Sequence, residues 1–261
     1  MSKTYAILTI ILLAFFISCG PSQREKADTS IKSARQLIVS GDTLQAIALL
    51  DSVSILYPKA ESQIAVSKNI KSDLYRQMAD NRKLKLIRND SIIEALENRF
   101  NIEKTRFDMY TQYHHKRQTL ARSWDRSFLQ VHLDERGEFH LSSNYVGKEW
   151  LEHTGIRVYD GELQEISGRI PLENPLNHRS DFLDYKWEKI SYMNGEADSV
   201  MYFIAENRHL NLKCVFLGKQ YHWILLEDYD IQAVVDALDL SEAIKMKARI
   251  EEEIAFFEAK L

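Results

Sequence analysis

Two histidines have a spacing that could bind a metal ion. His132 and His140 lie in neighbouring segments in which apolar and polar residues alternate. The residues 134–137 between them, Asp-Glu-Arg-Gly, favour a type I turn with the glycine in the left-handed conformation. Such a hairpin pairs His132 with His140 on one face, but two ligands make a weak metal site and no third is evident. His132 and His140 are therefore weak metal candidates, and we expect no cofactor.

The sequence lacks the short motifs that mark common catalytic sites. It has no Gly-rich phosphate loop, no His-Glu-x-x-His, no Cys-x-x-Cys and no Gly-x-Ser-x-Gly. The adjacent His114 and His115 would point about 100° apart on a helix, which makes a poor chelate. The sequence thus predicts no catalytic residue.

The longest irregular polar stretch, residues 171–181, is the predicted binding surface. Its two prolines reduce the entropy lost when the stretch is ordered. Binding residues are often held on loops by a rigid scaffold, and the stretch is rich in hydrogen-bonding side chains. The candidates for polar contacts are Asn174, Asn177, His178, Arg179 and Asp181. The alternative is a connection whose polar groups cap neighbouring strands.

Aromatic residues in the second half could form the core or line a ligand site. Large aromatics dominate burial in small domains, whereas a subset on a concave surface would suit a sugar or an apolar ligand. Both readings stay open for Trp187, Tyr192, Tyr202, Phe203, Tyr221 and Trp223.

The N-terminus carries a targeting signal that ends at Cys19. Lys3 is the only charge before Arg24, and residues 6–17 form a run of 12 residues with one threonine. A membrane-spanning helix needs about 20 apolar residues, so this run is typical of a signal peptide. The run ends in Phe-Ile-Ser-Cys, which resembles the lipobox of bacterial lipoproteins. Phe16 stands where leucine is more usual.

The resemblance implies a lipidated envelope protein. Residues 1–18 would be a signal peptide, Cys19 would receive a diacylglycerol, and residues 19–27 would tether the folded part to the lipid bilayer. Two or three acyl chains hold a protein firmly at a membrane. Gly20 is not the acidic residue that, in some bacteria, retains lipoproteins in the inner membrane, so we expect the outer membrane, facing the periplasm.

Cys214 is the only other cysteine. If Cys19 is a thioether, Cys214 has no partner for an intramolecular disulfide. It lies on the apolar phase of a predicted strand, where a free cysteine acts as a small hydrophobe. A nucleophilic thiol would need exposure and an activating base.

The charge balance is mildly acidic. The full chain has 34 basic and 38 acidic residues, and removal of residues 1–18 takes away one lysine. No basic block occurs, so we expect no nucleic-acid partner.

Glycine usage divides the chain into a helical and a β-rich half. Between Gly41 and Gly137 there is no glycine, and all four tryptophans lie from residue 124 onward. We expect a helical region over 28–118, an antiparallel β domain over 127–229 and C-terminal helices over 230–261. These helices are placed at about 230–239 and 242–260.

Residues 27–58 resemble one tetratricopeptide repeat. Two amphipathic segments flank Gly41-Asp42, and the residues at the characteristic small, large and proline positions are Ala34, Leu37, Ala46, Leu50, Val53 and Pro58. No second copy is present, and such solenoids need about three repeats. We expect a helical hairpin without a peptide-binding superhelix.

Residues 60–117 carry apolar residues at helical spacing. A capping-box pattern at 91–94 leaves open whether one helix crosses 89–91 or two meet there. The charged face favours a solvated helix over a coiled-coil partner surface, because no heptad is sustained.

The β domain shows strand patterns separated by turn signals. They lie at 128–134, 138–143, 154–160, 162–169, 185–193, 198–206, 210–217 and 220–227. This spacing predicts an antiparallel sandwich or a small barrel, and an α+β fold overall.

The layout as a whole is similar to uncharacterised bacterial lipoproteins with a helical front and a β-rich back. The residues that carry the likeness are the lipobox, Gly41-Asp42 with Ala46, and the segments 126–129 and 134–137. No activity comes with it. We expect a membrane-tethered binding or scaffold module with an envelope protein or glycan as partner. The alternative is a hydrolase of envelope glycan or peptide that uses carboxylates of the β domain, about 5–9 Å apart for glycosidic chemistry.

Overall fold

The structure is a computed structural model that describes residues 21–118, 125–182 and 184–261. The fold is α+β, as predicted: three helices precede two antiparallel sheets, and a helical segment follows them. The chain forms two compact units. One comprises the residues up to Leu84 together with Glu252–Leu261, and the other comprises Lys85–Glu251.

The first unit contains a helical hairpin. Helix α1 spans Gln23–Val39 and helix α2 spans Thr43–Leu56, with Gly41 between them at a φ of 87°. Ser22 and Glu25 form a capping box that begins α1, and Asp42 caps α2. The buried side chains at the seam alternate between small and large, so the helices approach closely; they include Ala27, Ala34, Ala46, Leu50 and Val53.

Helix α3 spans Glu61–Glu97 without a break. One helix therefore crosses residues 89–91 and no second helix begins there, because the backbone stays helical through the capping-box pattern at 91–94. Ser91 turns its hydroxyl back to the carbonyl of Ile87 instead of capping a new helix. Within the first unit, Leu74 and Tyr75 of α3 pack into the core with Phe257.

The second unit is built on two open sheets. The larger contains β1 (Phe100–Glu103), β2 (Gln112–His115), β3 (Phe128–Asp134), β4 (Phe139–Gly147), β7 (Asn177–Phe182) and β8 (Tyr185–Tyr192), in the order β1-β2-β3-β4-β8-β7. The smaller contains β5 (Ile156–Asp160), β6 (Leu163–Ile166), β9 (Lys213–Leu217) and β10 (Tyr221–Leu225), in the order β10-β9-β5-β6.

The two sheets share one core. Leu129, Leu141 and Ile190 of the larger sheet belong to the same buried cluster as Val158 and Phe216 of the smaller one. Neither sheet closes on itself, so of the two predicted architectures the structure has the sandwich and not the barrel. Among the described residues, helix α4 (Asp198–Glu206) lies between β8 and β9, and helix α5 (Asp228–Glu258) follows β10.

Several finer predictions are wrong. The segment 198–206 is helix α4 and not a strand, because Val200, Met201 and Ile204 are buried at helical spacing. Helix does not continue to residue 118: it ends at Glu97, and strands β1 and β2 follow. The two expected C-terminal helices are the single helix α5.

The expected tether 19–27 is also helical over most of its length. Helix α1 already begins at Gln23, where the Ser22 hydroxyl accepts a hydrogen bond from the Glu25 amide. Cys19 lies outside the described residues. Within the described part of the chain, no helix is both long and apolar enough to cross a bilayer.

Candidate functional site

The histidine pair has the predicted register. His132 lies directly opposite His140, and their rings stack with centroids 4.5 Å apart and planes 6° from parallel. Burial lowers the pKa of His140 to about 4 and that of His132 well below its usual value. Both rings are therefore neutral at pH 7. Among the described residues, no group of three His, Cys, Asp or Glu side chains could hold a metal ion.

The polar stretch 171–181 is less irregular than its sequence indicates, because residues from Asn177 onward form the edge strand β7. Asn177 is buried, and its Nδ2 donates to the carbonyls of His153 and Ile170. Asn174 turns the chain, since its Oδ1 accepts from the amide of Leu176. Both asparagines thus hydrogen-bond backbone groups of the fold.

Three other candidates of this stretch are exposed on β7: His178, Arg179 and Asp181. They border a shallow depression of about 500 Å³ that Trp150 and Pro175 also line. Asp181 forms an ion pair with Lys186 of β8 at 3.1 Å. The stretch therefore divides into asparagines that hydrogen-bond the backbone, Asn177 buried and Asn174 half-buried, and side chains that are exposed to solvent.

A Ser-His-Glu arrangement occurs inside the second unit, at residues that no sequence motif marks. His153 Nδ1 lies 2.7 Å from Glu188 Oε2, and Ser143 Oγ lies 2.9 Å from His153 Nε2. Tyr192 OH lies 3.0 Å from Ser143 Oγ. Because an ionised carboxylate only accepts, Nδ1 donates its N–H to Glu188, and when the imidazole is neutral Nε2 accepts from the serine hydroxyl. The serine oxygen then accepts from the tyrosine.

Glu188 collects two further donors. The amides of Glu152 and His153 donate to its two carboxylate oxygens at 2.7 and 3.0 Å. Burial by itself raises the pKa of Glu188, but the hydrogen bonds from His153 and the two amides outweigh it and leave the pKa below its usual value. The same carboxylate fixes Glu152 in a left-handed conformation, with φ of 52°. The network thus ties the segment before β5 to strand β8.

This network has the contacts of a nucleophile with its base but lacks access. Ser143, His153, Glu188 and Tyr192 are each at most 1 % exposed. A nucleophilic serine must approach a substrate carbonyl to about 3 Å, and here the tyrosine hydroxyl occupies the free side of the serine oxygen. The geometry is that of a satisfied buried polar network, which specifies the pairing of the elements around it.

The outer face of the four-stranded sheet carries aromatic and basic side chains. Residues directly opposite one another share a face, and Trp223 pairs with Val215, Val215 with Arg157, and Arg157 with Ile166. We call this set the aromatic–basic face; its members are Arg157, Tyr159, Gln164, Ile166, Lys213, Val215, Leu217, Tyr221, Trp223 and Leu225. The opposite face of the sheet contributes Cys214 and Phe216 to the core.

Large side chains of the aromatic–basic face meet solvent. Tyr221 is 68 % exposed and Trp223 is 46 % exposed. The hydroxyls of Tyr159 and Tyr221 lie 3.4 Å apart, and this contact raises the pKa of Tyr221. Val215, which lies directly opposite Trp223 on this face, is buried although it points outward from the sheet. The rings therefore form a continuous surface and not isolated exposed residues.

Two cations lie among these rings. Lys213 Nζ is 5.2 Å from the Trp223 ring centroid, and the Arg157 guanidinium is 5.1 Å from that of Tyr159. Neither cation forms an ion pair with a described residue, and Arg157 Nε is buried without a hydrogen-bond partner there. The face has no carboxylate among its members. Its chemistry suits a partner that offers apolar surface and negative charge.

The remaining aromatic candidates divide between core and surface. Tyr192 is buried within the network described above, and Phe203 packs against the core from helix α4. Tyr202 is exposed on the same helix, with its ring edge-on to Phe139. Cys214 is buried and burial raises the pKa of its thiol, which gives it the environment of a core residue.

The chain matches no protein-family model, no curated protein and no solved structure. The sequence places Tyr221 and Trp223 among the aromatic residues that could form the core or line a ligand site. It does not indicate Arg157 and Lys213, because their position beside the rings depends on the order β10-β9-β5, which no local pattern shows.

Proposed function

We propose that this chain is a lipid-anchored protein of the bacterial cell envelope that serves as a binding or scaffold module, and that the aromatic–basic face is its contact surface. The observation that carries the proposal is the exposed pair Tyr221 and Trp223 beside the half-buried Tyr159, together with the cations Arg157 and Lys213, which form no ion pair with a described residue. Contiguous exposed apolar surface marks interaction sites in soluble domains.

The composition of the face also supports a protein partner. Tyrosine, tryptophan and arginine are the residues that dominate binding energy in protein interfaces. Since the face has two cations and no carboxylate, the partner that complements it presents acidic groups beside apolar ones. The whole chain is acidic, so this local basic character is a property of the face and not of the protein at large.

Site-specific photo-crosslinking in intact cells tests this proposal. A benzophenone amino acid replaces Tyr221 on the face or, as the matched control, Tyr185, an exposed tyrosine on strand β8. We expect a discrete adduct from position 221 and none of the same mass from position 185. The partner surface in that adduct should be rich in Asp and Glu.

Charge reversal makes the test specific. Arg157→Glu combined with Lys213→Glu should abolish the adduct, whereas Lys148→Glu, at an exposed lysine outside the face, should leave it. Washing detergent extracts at about 0.5 M salt should reduce capture, because added salt screens exposed charges. An adduct that survives the double reversal would contradict the proposed surface.

The lipid anchor is tested through Cys19. Cys19→Ala removes the thiol that would receive the diacylglycerol, so we expect an uncleaved precursor or a product that leaves the membrane fraction. Mass spectrometry of the wild-type protein should show the acyl chains on its first residue. A wild-type protein of unmodified mass would contradict the anchor.

A further inference from the structure

One end of the helical hairpin lies next to the start of the folded chain. The amide of Lys59, just after helix α2, donates to Oε1 of Gln23, the first residue of α1, at 3.1 Å. The last turn of α2 therefore lies beside the first turn of α1. We call this region the anchor end and define it by Ser22, Gln23, Ile55, Leu56 and Lys59.

The anchor end exposes two large aliphatic side chains. Ile55 is 77 % exposed and Leu56 is 58 % exposed. Both lie in the last turn of α2, whose inner side is buried at Val53. Three exposed basic residues lie in the adjoining segments, Arg24 and Lys26 near the start of α1 and Lys59 just after α2. Of the acidic groups nearby, Glu25 is used to cap α1, where it accepts from the Ser22 amide at 2.7 Å.

The length of chain before α1 limits how far this end could lie from a membrane. Only Gly20, Pro21 and Ser22 separate Cys19 from Gln23. An extended chain spans at most about 3.6 Å per residue, so four steps reach about 14 Å. The polar headgroup layer of a bilayer is itself several ångströms thick. An acylated Cys19 therefore leaves the start of α1 at the membrane surface.

We propose that the anchor end docks on the bilayer, with Ile55 and Leu56 inserted at the boundary of headgroups and acyl chains and the basic residues at the headgroup phosphates. The inference rests on the lipid anchor of the proposed function. Apolar side chains that enter this boundary, together with lysine and arginine near anionic headgroups, are the two contributions that bind amphipathic surfaces to membranes. The contact fixes the orientation of the helical hairpin on the membrane, which acyl chains alone do not.

The opposite end of the hairpin provides a matched control. Val39 at the end of α1 and Leu44 at the start of α2 are exposed to a similar degree, 90 % and 76 %. Helix α1 has 17 residues, so at about 1.5 Å per residue this turn is roughly 25 Å from the anchor end. The control positions are thus at least as exposed as Ile55 and Leu56 but lie farther from Cys19.

Spin labelling of the full-length lipidated protein tests the contact. Four single variants are compared: Ile55→Cys, Leu56→Cys, Val39→Cys and Leu44→Cys. Acylation consumes the Cys19 thiol and Cys214 is buried, so the introduced cysteine is the reactive one; the wild-type protein controls for background labelling. The labelled proteins are reconstituted in vesicles of phosphatidylethanolamine with phosphatidylglycerol, and collision with oxygen is compared with collision with a water-soluble nickel chelate.

Labels at 55 and 56 should show a ratio of oxygen to nickel accessibility several-fold higher than labels at 39 and 44. Circular dichroism checks that each variant keeps its helices. Equal ratios at both ends, with the protein still bound to the vesicles, would overturn the docking while leaving the anchor intact. A protein that does not remain with the vesicles would overturn the anchor and the docking together.

Discussion

Glu188 Oε2 and His153 Nδ1 lie 2.7 Å apart, and neither side chain meets solvent. Together with two backbone amides, this contact gives the buried carboxylate three hydrogen bonds, one to Oε1 and two to Oε2, which favour its ionised form. It joins strand β8 to the segment before β5, and so links the six-stranded sheet to the entry of the four-stranded one.

Replacing Glu188 should therefore destabilise the protein. In Glu188→Gln, the side-chain NH₂ faces donors that need an acceptor, so we expect the free energy of unfolding to fall by about 2–4 kcal/mol. Urea denaturation measures it. Glu149→Gln, at an exposed position nearby, should change it by less than about 0.5 kcal/mol. A Glu188→Gln protein as stable as wild type would mean that the carboxylate is not the acceptor described.

Histidine burial makes a separate prediction about pH. The folded-state pKa of His140 is about 4, below the value of about 6.5 in an unfolded chain. Between these values the unfolded chain binds the proton and the folded chain does not, so stability is lost as the pH falls from 6.5 towards 4. Because His140 is only partly buried by surface area, we expect this contribution to be at most about 3 kcal/mol.

His140→Gln isolates that contribution, since glutamine does not titrate. The loss of unfolding free energy between pH 7 and pH 4.5 should be smaller in the variant than in wild type, with His178→Gln, at an exposed histidine, behaving like wild type. Parallel pH profiles for His140→Gln and wild type would show that His140 titrates normally in the folded state.

Within residues 171–181, we expect substitutions at some positions to lower thermal stability and substitutions at others to leave it unchanged. Asn177→Ala removes the donors to the His153 and Ile170 carbonyls, which should cost about 1–3 kcal/mol. In a chain of this size, that lowers the melting temperature by several degrees, at about 2–4 °C per kcal/mol. Arg179→Ala, exposed on the same strand, should leave it within about 1 °C. Differential scanning calorimetry measures the two melting temperatures. Similar shifts for Asn177→Ala and Arg179→Ala would contradict the different roles assigned to these two positions.

The aromatic–basic face should affect binding without affecting stability. For the partner captured through position 221, Trp223→Ala should weaken affinity by about 30-fold, the equivalent of about 2 kcal/mol, as interface tryptophans do. Because Trp223 points away from the core, the melting temperature should change little. Calorimetric titration measures the affinity, and Tyr185→Ala is the control. A strong effect of Tyr185→Ala with none of Trp223→Ala would place the contact surface elsewhere.

Local sequence determines the turns of this protein and much of its register. The segment 134–137 predicts the left-handed Gly137, whose φ is 79°, and from it the pairing of His132 with His140. Gly161 likewise marks the hairpin of β5 with β6. These features follow from sequence because a left-handed φ excludes most residues other than glycine, so a short segment is enough to specify them.

Local sequence pattern does not predict secondary structure correctly where tertiary contacts outweigh the intrinsic strand or helix preference of the residues. Residues 198–206 contain valine, tyrosine, phenylalanine and isoleucine, which favour strands, yet they form helix α4 because Val200, Met201 and Ile204 reach the core only at helical spacing. Residues 178–181 of strand β7 are polar and exposed, so no alternation of apolar and polar residues marks this strand. Its pairing with β8 defines it.

The candidate sites likewise divide into those that adjacent residues define and those that depend on the tertiary structure. Cys19 and its apolar leader are defined by adjacent residues, so sequence alone predicts the anchor. The network of Ser143, His153 and Glu188 joins residues on β4, on the loop before β5 and on β8. The aromatic–basic face likewise joins Arg157 to Trp223 across three strands. Their chemistry depends on which strands are neighbours, and burial of the whole core decides that order, since hydrogen bonding between strands is equally available to many alternative orders.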